Sequence, residues 1–497
     1  MNPILLGFVI YLLVVLVVGV LAYRRTTTQA GFILGDRKLG PWVIAFSERA
    51  SGESAWLLIG LPGAAFAAGF IELWTAIGCA AGILFSWMVI ARRLRLEVGR
   101  TDSLTLPDYF HSRFPETAGR IRFVASLIIT FFFTFYVAAQ FNAAGKVLDT
   151  TFGDFMLSLQ QSFARGGLFI ETTTIGMIIG ALIVLFYTTM GGFVAVAWTD
   201  VVQGIIMVFT CVVLPLVAIQ AIGGWHALAA RLHEVNPHLL SVVHGKSGGA
   251  AVAGVIGGLS WGLGYMGQPH LLSRFMAIRR VKDLRTGTLI AAWWAVPALW
   301  GAFLIGVVGL ATFGTGALDD PERLMPILAT TLLPGWLAGI MISGAIAAMM
   351  STADSQLLVT TSTLSEDVYH KMLQKDATPQ RLASFSRLAT LFVGVVAFIL
   401  AVRSTDLVFT MVSFAWAGLS AAFGPALLLT LWWKRISGYG VLAGMIGGAL
   451  TVIVWKLTGL DKVLTARFTG FAVALFLVVV VSLLMPSPRK RNEGVLP

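Results

Sequence analysis

A chain of 497 residues with 57% hydrophobic and only 12% charged side chains, and a mean hydropathy of +0.85, is too apolar for a water-soluble domain, where about a quarter of residues are charged. The net charge of +11 invites a nucleic-acid partner, but the basic residues are scattered through short segments between apolar runs, which makes the excess a matter of membrane topology. Two cysteines, both inside apolar runs, argue against a disulfide framework.

Runs of roughly 20 apolar residues, the length that crosses about 30 Å of hydrocarbon as a helix, recur along the whole chain. They predict thirteen spans: 3–23, 42–70, 73–92, 120–148, 173–190, 193–222, 250–268, 285–314, 325–365, 383–402, 406–432, 438–457 and 465–485. No β-barrel alternation is present, so the expected fold is an all-α integral membrane protein. The first run lacks a preceding Lys or Arg, and "LAYRRTTT" at its end lacks a small-residue cleavage site, so it reads as a membrane helix rather than a signal peptide. The second run contains "SERASGESAWLLIGLPG", residues 47–63, with Glu48, Arg49, Glu53 and a Pro-Gly pair. Charges and irregular backbone at membrane depth are tolerated only where they are buried in protein or line a wet cavity. This stretch therefore predicts a broken helix whose freed carbonyls can hold a cation, with Glu48 and Arg49 paired to each other or to neighbouring helices. Asp200, in "AVAWTDVVQ" of the sixth run, needs a partner or an ion.

The seventh run holds a second break, "GGLSWGLGYMGQPH", residues 257–270. Trp261 and Tyr265, four apart, share a face there and predict a pocket wall; His270 reads as structural. Breaks five spans apart predict an inverted-repeat transporter. Residues 42–222 (spans 2–6) and 250–432 (spans 7–11) would be the two repeats. Residues 1–41 would form a first helix and cytoplasmic loop, and 433–497 two helices and a short cytoplasmic tail. The ninth run contains "AAMMSTADSQLL", residues 347–358. Ser351, Asp354 and Ser355 project to one side, and Ala348 and Thr352 form an adjacent pair. Oxygen ligands of this kind suit a hard cation. Glu366 and Asp367 are expected at the inner interface.

With the N-terminus outside, the segments 24–41, 92–122, 274–285, 371–387, 434–435 and 489–491 lie inside and carry most of the 35 Lys and Arg. The positive-inside rule thus places the C-terminus in the cytoplasm of a multi-pass protein of the cell membrane, with the lipid bilayer as partner and no call for nucleic acid. No metal-binding cluster or nucleophile–base motif emerges, so the chain does not read as an enzyme.

The motifs "FILGDRKLGPWV", "SAWLLIGLPGAAF", "LTLPDYF", "GGFVAVAWTD", "WGLGYMGQPHLLSRFMA", "AAMMSTADSQLLVTTS", "EDVY" and "FAWAGLSAAFGP" resemble the sodium:solute symporter family, and within it the sodium/proline symporter branch, over nearly the whole chain. The resemblance implies a five-plus-five inverted-repeat (LeuT-like) core with flanking helices, and sodium entry coupled to uptake of a small solute, most simply L-proline. It implies a main sodium site at Ala50, Glu53 and Ala348, by their backbone carbonyls, and Ser351 and Thr352, by their hydroxyls. A second sodium would fall on Asp200, Ser351, Asp354 and Ser355. The substrate pocket would fall on Tyr136, Trp261, Tyr265 and Pro269, and Arg37 matches a loop arginine linked to transport. One departure stands out. Proline symporters read Ser-Asp-Met-Ser-Gly-Trp where this chain reads Ser51-Gly52-Glu53-Ser54-Ala55-Trp56, so an aspartate important for sodium becomes Gly52 and an acid appears one place later. One residue along a helix is a turn of about 100°, and Glu53 cannot simply replace that aspartate. The alternatives are a monocarboxylate or another amino acid as solute, a proton as coupling ion, or a membrane nutrient sensor. Against the sensor, only "PSPRKRNEGVLP" follows the last span and no signalling domain is expected.

Overall fold

The computed structural model describes residues 3–23, 29–190 and 192–487. Residues 24–25 and 489–491, used in the topology count, lie outside them. The principal helices are α1 (Pro3–Tyr23), α2 (Pro41–Ala55), α3 (Leu61–Ala68), α4 (Leu73–Phe85), α5 (Ala118–Thr151), α6 (Thr172–Met190), α7 (Phe193–Ala221), α8 (Gly248–Leu259), α9 (Pro269–Ala277), α10 (Asp283–Phe313), α11 (Gly335–Ser362), α12 (Pro379–Arg403), α13 (Val408–Trp432), α14 (Gly438–Thr458) and α15 (Ala466–Leu484). Among the described residues the only β pairing is a single parallel bridge, Leu39 with Ile278.

Ten of these helical stretches are long and apolar enough to cross a membrane, or eleven if the bent pair Gly248–Gly264 and Pro269–Ala277 counts as one. The thirteen spans expected from sequence are thus not reproduced by length and composition alone. Pro41–Thr101 is one 61-residue helical stretch holding two of them, and the apolar part of α6, Thr172–Phe186, is shorter than 18 residues. Sixty-one residues as a straight helix would reach about 90 Å, three bilayer cores. The chain avoids this at Gly69, where φ is +74° and a Cβ would stand 2.0 Å from the Leu239 carbonyl oxygen.

α11 runs through the centre of the bundle against α1, α2, α5 and α7, and nearly every residue from Ala338 to Ser362 is buried. α2 packs on α7, α10 and α11, while α13, α14 and α15 form a lateral group that meets α5. The outer faces stay apolar: Leu13, Val17 and Leu21 of α1 are half exposed or more. An apolar exterior around a polar interior suits lipid as solvent, because lipid tails solvate Leu and Val as well as a protein core does. Cys79 and Cys211 are both buried, and neither is in a disulfide.

Both sequence-expected breaks are present. α2 starts with Pro41 at its first turn, where a missing N–H costs nothing, and departs from helical geometry at Ser54 (φ 54°, ψ −175°). The backbone donors freed there find new partners: Ala55 N–H donates to Gln140 Oε1 (3.1 Å) and Trp56 N–H to Ser54 Oγ (3.1 Å). The second break separates Trp261–Gly264 from α9, which again opens on a proline, Pro269. A Cβ on Gly264 would stand 1.6 Å from Trp416 Nε1, so glycine at this position lets the indole reach the break.

Candidate functional site

Three groups of side chains gather where the two breaks meet α11. In the first, hydroxyls of α11 reach the backbone of α2 just before its break. Ser351 Oγ donates to the carbonyls of Ala50 (3.0 Å) and Ala348 (3.1 Å), and Thr352 Oγ1 to that of Ser51 (3.0 Å). Four of the five residues assigned to a main sodium site, Ala50, Ala348, Ser351 and Thr352, thus lie together and buried. The fifth, Glu53, expected through its carbonyl, gives that carbonyl to the Trp56 N–H, and its side chain turns elsewhere.

The second group surrounds Asp200 of α7. Its Oδ2 accepts from Ser47 (2.6 Å) and Ser51 (3.1 Å), and Ser51 Oγ lies 2.9 Å from Ser355 Oγ. Ser355 Oγ donates to Asp354 Oδ1 (3.3 Å), so one hydrogen-bonded chain joins the two aspartates. Asp200 Oδ1 and Asp354 Oδ2 are buried without a hydrogen-bond partner. Orphaned carboxylate oxygens in a dry interior are costly, and they are what a cation would satisfy.

The third group is aromatic. Trp261 lies 4.6 Å from Trp56, 5.2 Å from Phe409 and 6.4 Å from Trp416, centroid to centroid. Tyr265 lies edge-on to Trp416 at 4.9 Å, and Tyr136 lies 6.4 Å from the same ring. Trp416 Nε1 donates to the Trp261 carbonyl (2.9 Å), so Trp416 is the hub of this wall. Pro269 is the exception: it lines a separate small cavity of about 20 Å³ beside Leu34, Thr105 and Ser362.

Residues 32–448 match the model of the sodium:solute symporter family. The chain is 37% identical over 496 residues to the osmoregulated proline transporter OpuE of Bacillus subtilis, covering 98% of this chain and 96% of that one. It is 39% identical over 477 residues to the high-affinity proline transporter PutP of the same organism (95% and 96%), and 38% identical over 494 residues to the sodium/proline symporter of Escherichia coli (98% and 94%). The chain belongs to the sodium:solute symporter family. The fold agrees. A Na+-coupled sialic acid symporter, solved substrate-bound and outward-open, superposes with a TM-score of 0.78 at 17% identity, covering 99% of this chain and 100% of that one. MhsT in complex with L-phenylalanine superposes at 0.54 and 15% identity, covering 89% and 98%. The protein is a multi-pass sodium-coupled transporter of a small solute, not an enzyme.

This symporter's charged stretch at the first break closes on itself. Arg49 donates through Nε to Glu48 Oε2 (2.6 Å), through Nη2 to Glu48 Oε1, and through Nη1 to Glu53 Oε1 (2.7 Å). Trp87 Nε1 supports Glu48 at 2.8 Å, and the Tyr265 hydroxyl donates to Glu53 at 3.1 Å. The side chain of Glu53 thus belongs to the ion-pair cluster and the aromatic wall, while its carbonyl accepts the Trp56 N–H.

Arg274 is the residue that sequence reasoning missed. The topology count placed it in a cytoplasmic segment. The structure buries it fully on α9, with Nη2 3.0 Å from Ser51 Oγ and 3.3 Å from Asp200 Oδ2, and also bonded to Ser355 Oγ. Position 274 lies beyond the apolar run, but α9 is itself buried along nearly its whole length, from Pro269 to Ala277, and carries the arginine inward. "QPHLLSRFMA" carried the signal as an arginine one turn beyond His270. His270 is structural in its contacts, with Nε2 3.2 Å from the Ser51 carbonyl. Glu366 and Asp367 are buried in the protein, and Asp367 accepts from Thr105 at 2.7 Å. Arg37 bonds Asp102 (3.0 Å) and the Ser103 carbonyl (3.0 Å), pinning one intervening loop to the other.

Proposed function

We propose that this protein carries L-proline into the cell together with sodium, and that it sits in the cell membrane with its N-terminus outside and its C-terminus in the cytoplasm. The observation that carries the reading is the meeting of Ser351 and Thr352 with the carbonyls of Ala50 and Ser51, on the helix whose Glu53 accepts from Tyr265 of the aromatic wall. Sodium between α2 and α11 would take those oxygens, in place of the hydrogen bonds they now make to each other, and so hold the first break against the central helix. The solute's ring would lie on the aromatic wall, whose rings are buried in this structure and would part to admit it. Binding of ion and solute is coupled because both act on one broken helix. Residues 42–222 and 250–432 are the two repeats in this reading, each contributing one break. The names of full-length relatives at 37–39% identity favour proline as the solute. Asp200, Asp354, Ser351 and Ser355 are the candidate set for a second sodium: two carboxylates against one guanidinium, Arg274, leave that set one positive charge short.

A second reading rests on Glu53. An acid bonded to the Tyr265 hydroxyl at the pocket wall suits a different solute or a proton as coupling ion. Uptake of radiolabelled L-proline into proteoliposomes separates the two. A sodium gradient is expected to drive it, and replacing sodium by choline to abolish it. Uptake driven instead by an acid gradient without sodium, or by sodium for a different solute, would replace the first reading by the second.

A further inference from the structure

Behind the aromatic wall lies a cavity of about 340 Å³, lined by α8, α13, the α14–α15 connection and the start of α15. This volume is within the range of small-molecule sites. Its lining is basic: Lys246, Lys456, Lys462 and Arg467, against one acid, Asp461. Lys456 is paired with Asp406 (3.2 Å), and the Asp461 carboxylate caps the Ala466 N–H (2.6 Å). Lys246, Lys462 and Arg467 have no carboxylate within ion-pair distance among the described residues. Arg467 is buried, and its guanidinium bonds only neutral groups: Ser260 Oγ (3.3 Å), the Gly257 carbonyl (2.9 Å) and Ser413 Oγ. Its plane covers Trp261 at 4.4 Å from the ring centroid. Phe409 lines the same cavity and lies edge-on to Trp261, at 5.2 Å between ring centroids. One layer of side chains, Arg467 and Phe409, therefore separates the cavity from the pocket wall.

The geometry points to this cavity as an outer receiving site for the carboxylate of the incoming solute. Lys246 and Lys462 attract the carboxylate end of the solute, and Arg467 takes that carboxylate through its planar fork. Release of that carboxylate passes the solute to Trp261, whose face Arg467 now covers. The inference rests on the proposed orientation and on a solute that carries a carboxylate, and it deepens the proline reading without depending on the coupling ion.

The test uses the full chain in proteoliposomes. Lys246→Gln combined with Lys462→Gln, both exposed and removable without cost to the fold, is expected to raise the half-saturating solute concentration by roughly 2–5-fold per lysine, the worth of an exposed charge. The maximal rate and the sodium dependence are expected to stay unchanged. Added choline chloride is expected to weaken uptake by the wild type and to have less effect on the double variant. Arg467→Gln is expected to lose more affinity than both lysines together, and Arg467→Lys to recover part of it. Wild-type half-saturation and salt response in the double variant and in Arg467→Gln would overturn the receiving site. If the wild type carries another carboxylate solute instead of proline, the same comparison is made with that solute, and the proline reading fails alone. If it carries a solute without a carboxylate, the receiving site fails with it.

Discussion

Arg49 is bonded to Glu48 and Glu53 at once, so three buried side chains carry one net negative charge beside the first break. Replacing Arg49 with Met leaves two carboxylates without a cation, at a cost on the order of 3–5 kcal/mol. Replacing Glu53 with Gln leaves a neutral Glu48–Arg49 pair and keeps a partner for Tyr265, for about 1 kcal/mol. Arg49→Met is therefore expected to lower the melting temperature in detergent far more than Glu53→Gln does; equal shifts would contradict the charge count. Gly52 lies against the same cluster. A Cβ there would stand 3.1 Å from the end of the Leu271 side chain and in ordinary contact, at 3.5 Å, with Arg49 Nη2. The i,i+4 spacing of Arg49 and Glu53 was open to view in the sequence, as were the hydroxyls of Ser351 and Thr352. Arg274 was not, because its position beyond the apolar run does not show that the short helix α9 folds back into the bundle. For the proposed sodium ligands, Ser351→Ala and Thr352→Ala are each expected to raise the sodium concentration for half-maximal uptake about tenfold, the worth of one strong polar contact. Unchanged sodium dependence in both, with normal insertion, would move the ion elsewhere.

Among the elements, the two breaks are held open in different ways. The first is held by substitution of hydrogen bonds, with Gln140 and Ser54 replacing the lost helical partners. The second is held by shape, since Trp416 enters the space that a side chain at 264 would fill. Gly264→Ala is thus expected to push Trp416 off the Trp261 carbonyl and open the aromatic wall. Solute binding would fall by at least the worth of one buried ring, about 1–3 kcal/mol. Sodium-dependent thermal stabilisation would persist, because the proposed sodium ligands lie on α2 and α11. Wild-type solute affinity in Gly264→Ala would show that the wall does not touch the solute. Both breaks were legible as Gly and Pro crowded into apolar runs. The hub of the wall was not, since Trp416 lies in an unbroken helix, α13, and nothing in "FAWAGLSAAFGP" says which helix it faces. The turn between the second and third runs was legible too, since the sequence places it between residues 70 and 73, and the structure makes it at Gly69 with a single positive φ.

At the scale of the whole molecule, the bundle keeps its polar groups inside and leaves Leu and Val outside, and its proposed direction in the membrane rests on where the basic residues fall. α12 offers a direct reading of that direction, with Lys375 just before it and Arg403 at its end, both exposed. The two native cysteines are buried in the bundle. The protein is thereby a nearly silent background for thiol chemistry, with no need to strip its own sulfur first. A maleimide that cannot cross lipid is expected to leave the native chain unlabelled in intact cells. It should mark an Arg403→Cys variant at once, and a Lys375→Cys variant only after the membrane is permeabilised. The opposite order would invert the molecule, and with it the side from which a solute enters.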